Sequence, residues 1–291
     1  MIIQKARVGI IGGTGRMGSW LAGLLEGRGH RVLRVGRGSA IRPEDAARSC
    51  RVVVVSVPVE CTIPVIGRIA PLIREDALLM DLTSVKEAPV KEMLSRCRGQ
   101  VVGLHPLFGP RPDLEEGPLT VAACRGRGES GFRWIRGLLQ GEGYRVKVID
   151  PAEHDRLMAV IQGVNHFSAL ALAVFLAGCG IAPADLEDWS TPAFRAALDR
   201  IRAMTNQPGG LFRSLLTENP AVAEHLHQYE NAVKELNQAL VRGCEGEFTF
   251  LFSRLGAALG SAPRLDSDKA QTCGGPAGQA NKGNRNGGCH A

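Results

Sequence analysis

Histidine is the side chain whose ordinary ionisation falls nearest neutrality, so it is the commonest acid/base group at physiological pH. His105 stands where a short apolar strand, Gln100-Val101-Val102-Gly103-Leu104, runs into the turn Pro106-Leu107-Phe108-Gly109-Pro110. Ser84 holds a matching place in Asp81-Leu82-Thr83-Ser84-Val85-Lys86, after the strand Leu78-Leu79-Met80. If the two strands are neighbours, hydroxyl and imidazole converge on one crevice. There the serine can hydrogen-bond a substrate hydroxyl and the histidine can accept its proton. Upstream, Gly13-Thr14-Gly15-Arg16-Met17-Gly18 reads G-x-G-x-x-G between a strand and a helix. In that fingerprint Gly13 allows the tight turn, Gly15 lets the backbone approach a pyrophosphate, and Gly18 lets helix and strand pack closely. Thr14, Arg16 and Met17 fill the same turn, at a helix N-terminus that favours phosphate charge. The combination predicts a dinucleotide-dependent dehydrogenase with a histidine acid/base.

The choice of dinucleotide is read one strand later. Arg31-Val32-Leu33-Arg34-Val35 ends in Gly36-Arg37-Gly38-Ser39, without the acid that would hold ribose hydroxyls. Arg37 and Ser39 suit a 2′-phosphate, which favours NADP over NAD. Ser56-Val57-Pro58, after a valine-rich strand, is expected to line the next part of the groove, with Ser56, Pro58 and Thr83 on the cofactor side.

The elements that position these residues follow from hydrophobic periodicity. Strands are expected over 6–12, 31–35, 51–57, 77–82, 101–104, 119–123 and 144–149, with helices at 16–27 and 43–48 and in most later gaps. This alternation predicts an α/β fold: an N-terminal doubly wound (Rossmann) parallel sheet over residues 1–150, binding the dinucleotide. Residues 151–262 show only helical periodicity, and an all-helical second domain is expected there. The Gly-, Asn- and Lys-rich segment 263–291 is expected to be a disordered tail.

Composition narrows the function classes. Of 291 residues, 44% are hydrophobic and 22% charged, as in ordinary soluble proteins. The longest apolar stretch, 169–177, is short enough to be a buried helix, so no membrane span is expected. The N-terminus lacks a signal-cleavage pattern, which makes cytoplasm the expected location. The net charge of +6 is spread along the chain rather than clustered with aromatics, which argues against nucleic acid and for anionic small molecules. Eight cysteines without a C-x-x-C pair predict reduced thiols and no metal site.

Five segments together resemble one family closely, over about residues 6–255: the prephenate dehydrogenases with their arogenate-using relatives. They are Ile10-Ile11-Gly12 with the glycine fingerprint, the Asp81 to Lys86 and His105 to Pro110 motifs, Met158-Ala159-Val160-Ile161-Gln162-Gly163-Val164-Asn165-His166-Phe167, and Ser190-Thr191-Pro192-Ala193-Phe194. The resemblance implies a dinucleotide-binding domain followed by a helical substrate and dimerisation domain, and hence a homodimer. It implies oxidative decarboxylation: NAD(P)+ takes hydride from the carbon bearing the 4-hydroxyl of prephenate, the ring carboxylate leaves as CO2, and 4-hydroxyphenylpyruvate forms. His105 then matches the catalytic histidine and Ser84 the serine that orients the hydroxyl. His166 matches a substrate-facing histidine on the first helix of the second domain, with Gln162 one turn earlier on the same face.

The family also implies an arginine that holds a substrate carboxylate as a bidentate pair. Alignment forward from Thr191-Pro192-Ala193-Phe194 places it at Ala203, and alignment back from Asn206-Gln207-Pro208 places it at Arg202. A one-residue helix irregularity would reconcile the two. Arg202 is favoured, with Arg195 and Arg200 as alternatives and Arg111 a further carboxylate partner. No regulatory or mutase module is legible in the sequence, so a monofunctional enzyme is expected. Arogenate is the alternative substrate; a hydroxyacid or imine reductase and a non-catalytic NADP-binding protein are the more distant readings.

Overall fold

The computed structural model describes residues 5–109, 119–241, 245–258 and 260. Its centre is a seven-stranded sheet of order β2-β1-β3-β4-β5-β6-β7. The strands are β1 (Arg7–Ile11), β2 (Arg31–Val35), β3 (Val52–Val55), β4 (Leu78–Asp81), β5 (Gln100–Pro106), β6 (Thr120–Arg127) and β7 (Arg145–Val148). Helices α1 (Arg16–Gly27), α2 (Pro43–Ser49), α3 (Val59–Ile69), α4 (Glu87–Arg96) and α5 (Glu129–Gly141) are interleaved with the strands. Val52–Val55 are all fully buried, because a parallel strand covered by helices on both faces has no wet side. Alternate residues serve the two faces. Val8, Ile10, Val52, Val54, Leu78 and Met80 enter one core cluster, while Ile11, Val53, Val55 and Leu79 enter the other.

Strands β2, β1, β3, β4 and β5 are parallel, but β6 runs antiparallel to β5. The doubly wound parallel sheet expected from the sequence is present and carries this antiparallel pairing. The Leu107 N–H donates to the Thr120 carbonyl at 2.9 Å. β6 therefore starts at the edge where β5 stops, and such a pair can only be antiparallel. Its consequence is local and important. Pairing with β6 extends β5 to Pro106, so His105 lies inside a strand opposite Ala122 rather than in the turn.

After β7 the chain is helical among the described residues. α6 (Pro151–Met158), a π-helical segment (Ala159–Val164) and α7 (Asn165–Gly178) form one continuous rod. α8 (Pro183–Asp188), α9 (Pro192–Thr205), α10 (Gly209–Thr217), α11 (Ala221–Val241) and α12 (Glu245–Ala258) follow. Pro at the first turn and the Asp150 side chain, which accepts the Ala152 N–H at 2.9 Å, start the rod. The element type changes at Pro151, whereas compactness divides the chain into Met1–Tyr229 and Glu230–Ala291. The boundary at 262, the tail 263–291 and Arg111 lie outside the described residues.

The apolar stretch 169–177 is not a buried helix within this chain. Only Ala169 of α7 is buried, and Val174 and Phe175 are 75% and 65% exposed. The 28-residue rod Pro151–Gly178 is long and apolar enough to meet the length criterion for a membrane span, a test that core helices of soluble proteins also meet. Its first turns carry Asp155 and His154, both buried against the sheet domain. Cys50, Cys61, Cys97, Cys124 and Cys179 are free thiols, and the described residues hold no cluster of three or more metal-ligating side chains.

Candidate active site

One row of register partners crosses the parallel strands: Val35, Ile11, Val55, Asp81 and Gly103. Every strand-end residue singled out in the sequence lies just past this row, where α/β sheets open a ligand crevice. Gly36 and Arg37 follow β2, Gly12 and Gly13 follow β1, and Ser56 and Pro58 follow β3. Thr83 and Ser84 follow β4, and His105 lies two residues along β5.

On the dinucleotide side, Gly12 and Gly13 share the tight turn: a Cβ on Gly13 would lie 2.7 Å from the Ile10 carbonyl oxygen. Gly12 has φ +85°, and a Cβ there would sit 2.1 Å from the Ser56 carbonyl oxygen, so no L side chain fits. At Gly18 a Cβ would lie 2.3 Å from the Gly12 carbonyl, so helix and turn approach closely there. Gly15 precedes the first turn of α1 and leaves that helix N-terminus bare of side chain. These residues fit a pyrophosphate, whose charge the free N–H groups of the helix end attract. Thr14 and Arg16 are exposed beside that turn and Met17 is half-buried. Arg16 donates to Gln207 of the helical part at 3.3 Å.

Past β2, Gly36 backs onto Thr14, and Arg37 is exposed with no ion pair among the described residues. The Ser39 hydroxyl donates to the Ile41 carbonyl at 2.8 Å and accepts the Gly36 N–H at 3.3 Å. It therefore serves its own turn, whereas the Arg37 side chain is exposed. Arg34 is occupied by Glu26 at 2.7 Å. Ser56 binds β1 through its own N–H at 2.7 Å, and Pro58 caps α3.

Thr83 does not present its hydroxyl to the crevice. That hydroxyl sits between the Asp81 carboxylate and the Val85 carbonyl, with Lys86 Nζ 3.3 Å away. Lys86 and Asp81 form an ion pair with both side chains fully buried. Ser84 is the residue left over: its Oγ is buried without a partner among the described residues, as are Asp81 Oδ1 and His166 Nδ1. Unsatisfied buried polar atoms are rare in folded proteins and often mark a place where a ligand or water completes the bonding.

His105 is buried, with two nitrogens in different surroundings. Nδ1 lies 2.9 Å from His154 Nε2, and Nε2 lies 3.4 Å from the Gln162 amide nitrogen. His154 Nδ1 is in turn 2.7 Å from Asp155 Oδ1. Burial, reinforced by the neighbouring His154 and Lys86, holds the His105 imidazole well below its ordinary ionisation at 6.5. It is therefore neutral at pH 7 and available as a base. The segment after it is anchored by aromatics. Phe108 stacks on Tyr144 at 5.5 Å and meets Trp20 of α1 edge-on at 5.2 Å, while Trp20 Nε1 donates to the Tyr144 hydroxyl at 2.8 Å. Pairs of this kind contribute about 0.5–1.5 kcal/mol each beyond buried area. Trp20 thus ties the segment after the histidine strand to the dinucleotide helix.

From the helical part, Gln162 sits in the π-helical segment and reaches His105. π-helical turns recur at functional sites. His166 begins α7, meets Phe212 edge-on at 5.4 Å, and is lowered in pKa first by burial and then by Arg200. Arg200 donates to the Asn165 carbonyl and side chain at 2.6 and 2.7 Å, next to His166. Arg202, favoured from the sequence, instead pairs with Glu187 and with Asp199 at 3.6 Å, and Arg195 bonds the Glu187 carbonyl at 3.3 Å. α9 is a continuous α-helix, so the irregularity that would move Ala203 onto Arg202 is not there; the irregular turn is in residues 159–164. An apolar cleft of about 560 Å³, lined by Leu170, Met204, Gln207, Phe212, Arg213 and Leu216 among others, adjoins His166 through Phe212 but does not include His105.

Sequence reasoning missed Lys86, His154, Asp155 and Gly12 as site-forming residues. The adjacency Glu153-His154-Asp155, just past Pro151-Ala152, was the available signal for two of them. The Cys124 thiol, pushed up to about 12 by burial, is no nucleophile.

Fold and geometry define a class: a dinucleotide-binding α/β sheet that runs into a helical domain, with a buried histidine where the two meet. The model of the family described as prephenate dehydrogenase, nucleotide-binding domain, matches residues 27–119, and that of the prephenate dehydrogenase dimerization domain matches 150–254. The chain belongs to the prephenate dehydrogenase family. It is 34% identical over 232 residues to a T-protein of Haemophilus influenzae, covering 78% of this chain and 61% of that protein. It is 28% identical over 284 residues to a probable arogenate/prephenate dehydrogenase of Methanocaldococcus jannaschii, covering 90% and 64%. The chain thus spans just under two thirds of the length of these curated relatives. Among solved structures, prephenate dehydrogenase from A. aeolicus in complex with hydroxyphenyl propionate and NAD+ shares the fold at a TM-score of 0.70 and 21% identity, over 87% of this chain and 96% of that one. Synechocystis arogenate dehydrogenase shares it at 0.67 and 19%, over 87% and 99%.

Proposed function

We propose that this chain catalyses the oxidative decarboxylation of prephenate to 4-hydroxyphenylpyruvate, with NADP+ the favoured hydride acceptor. The observation that carries the reading is His105 itself, a buried neutral imidazole at the carboxyl end of β5 whose Nε2 meets Gln162 from the helical part. Nε2 accepts the hydrogen bond of the ring hydroxyl and holds its proton while hydride leaves the same carbon. The Ser84 hydroxyl, which has no partner among the described residues, binds the same oxygen and fixes its orientation. The dinucleotide, when bound, supplies the hydride acceptor. As the ring carboxylate departs as CO2, its bonding electrons complete the aromatic ring and the proton returns from His105 to the phenol oxygen.

Arg200 beside His166 is better placed than Arg202 to hold a substrate carboxylate, since Arg202 is engaged with Glu187. NADP is favoured because β2 ends without an acid and Arg37 is unpaired among the described residues. We read residues 1–150 as the dinucleotide domain and the helices after 151 as the substrate and dimerisation domain of a cytoplasmic homodimer. The exposed apolar residues of α7 and the free thiols support that reading. Initial rates for prephenate and arogenate, each with NAD+ and NADP+, test it together. The expected order places prephenate with NADP+ first; Arg37→Asp should bring NADP+ down to the level of NAD+ or below. An Arg37→Asp enzyme with unchanged cofactor preference would contradict the NADP assignment.

A further inference from the structure

Behind His105 lies a buried chain of polar groups that the proposed chemistry does not touch. His105, His154 and Asp155 are 4%, 1% and 4% exposed. They connect through His105 Nδ1 to His154 Nε2 at 2.9 Å and His154 Nδ1 to Asp155 Oδ1 at 2.7 Å. Asp155 is itself pinned. Its two oxygens accept the Lys86 and Glu87 backbone N–H groups at 2.7 and 2.9 Å, at the N-terminus of α4. Its own carbonyl accepts the Asn219 side-chain amide at 2.7 Å.

The donor directions along this chain follow once His154 is a neutral imidazole. An ionised carboxylate, here satisfied by two backbone donors, can only accept, so His154 Nδ1 carries a proton and donates. In a neutral His154, Nε2 is then a lone pair, and the short contact to His105 requires His105 Nδ1 to carry the proton. That leaves His105 Nε2 as the lone pair, on the side where the Gln162 amide donates to it.

We infer that His154 and Asp155 are positioning residues that fix His105 as its Nδ1–H tautomer and aim the Nε2 lone pair at the reacting hydroxyl. The inference rests on His105 being the base. The same chain offsets the positive charge that develops there, because the His105 Nδ1–H points along a hydrogen-bonded path ending on a carboxylate. The charged and titratable groups around the imidazole are Lys86 with its partner Asp81, from the β4–α4 connection, and His154 with Asp155 from α6. Gln162, the neighbour from the helical part, is uncharged; His166 and Arg200 face each other further along.

Ring-15N histidine NMR on the full chain tests this, with His105 assigned by the signal lost in His105→Asn. Wild type should show His105 protonated on Nδ1. His154→Phe, which keeps bulk but removes the acceptor, should shift the proton toward Nε2. It should also lower kcat about a hundredfold with the KM for NADP+ unchanged, and change the acidic limb of the pH profile. His154→Gln, whose amide oxygen can accept in the same place, should restore the tautomer and most of the rate. A wild-type His105 protonated on Nε2, or an Nδ1–H tautomer untouched by His154→Phe, would overturn the inference. A wild-type Nδ1–H tautomer in a chain that turns over neither prephenate nor arogenate supports the tautomer relay and overturns the functional reading instead.

Discussion

At His105, position, protonation and neighbours all bear on one chemical step. His105→Asn keeps a polar side chain of similar reach but no base, so turnover should fall at least about a hundredfold while cofactor affinity in a binding titration stays unchanged. Loss of cofactor binding in that variant would mean the histidine builds the groove rather than the reacting centre. Its lowered pKa sets the pH behaviour. A base that stays neutral below 6.5 predicts that kcat/KM holds constant through pH 6.5 and falls only at more acid pH; an acidic limb centred at or above 6.5 would contradict the burial seen here. His105, Ser84 and the glycine fingerprint were legible from sequence because strand ends in a parallel sheet are where ligands meet the chain. His154 and Asp155 were not, since their role depends on α6 packing against α4, a contact between segments far apart in sequence. Arg202 and Arg200 lie two residues apart on α9 and so face different ways, which alignment by spacing could not decide.

At the element scale, the site depends on a few joints. The Lys86–Asp81 pair ties the start of α4 to β4 with no exposure on either side chain. Replacing Lys86 by Met strands a buried carboxylate and should cost about 3–5 kcal/mol in denaturant unfolding. The double variant Lys86→Met with Asp81→Leu should recover most of it, and equal losses in single and double variants would show that the pair is not what stabilises the joint. Gly12 is the second joint. Gly12→Ala pushes a Cβ into the Ser56 carbonyl, so the dinucleotide turn should distort and NADP+ affinity should fall in a binding titration. The helix and strand boundaries of this half were close to readable, from valine runs and the proline that opens α2. The direction of β6 was not, because periodicity reports which face is buried and carries no strand polarity. For the same reason the π-helical turn that carries Gln162 left no mark in the pattern.

Across the whole molecule, three partly or fully buried histidines act on stability together. His30, His105 and His166 all have pKa values lowered from 6.5, with burial the largest cause in each. The unfolded chain therefore binds protons more readily than the folded one below pH 6.5. Stability from these groups is full above 6.5 and is lost as pH falls through the folded values. A Tm measured in low salt should drop between pH 7 and pH 5; a flat profile would mean the three imidazoles titrate freely. The uncovered apolar residues of α7, Val174 and Phe175, predict a sedimentation mass of two chains, and a one-chain mass would contradict the dimer. The family was legible from five short segments, whereas α7 was misread as core because its run of apolar residues looks the same whether its cover comes from this chain or another. In the proposed reaction, hydride and CO2 leave one substrate. Prephenate labelled at the ring carboxylate measures both at once. One labelled CO2 is expected for each NADPH formed. Reduced cofactor without labelled CO2, or neither product, would contradict it.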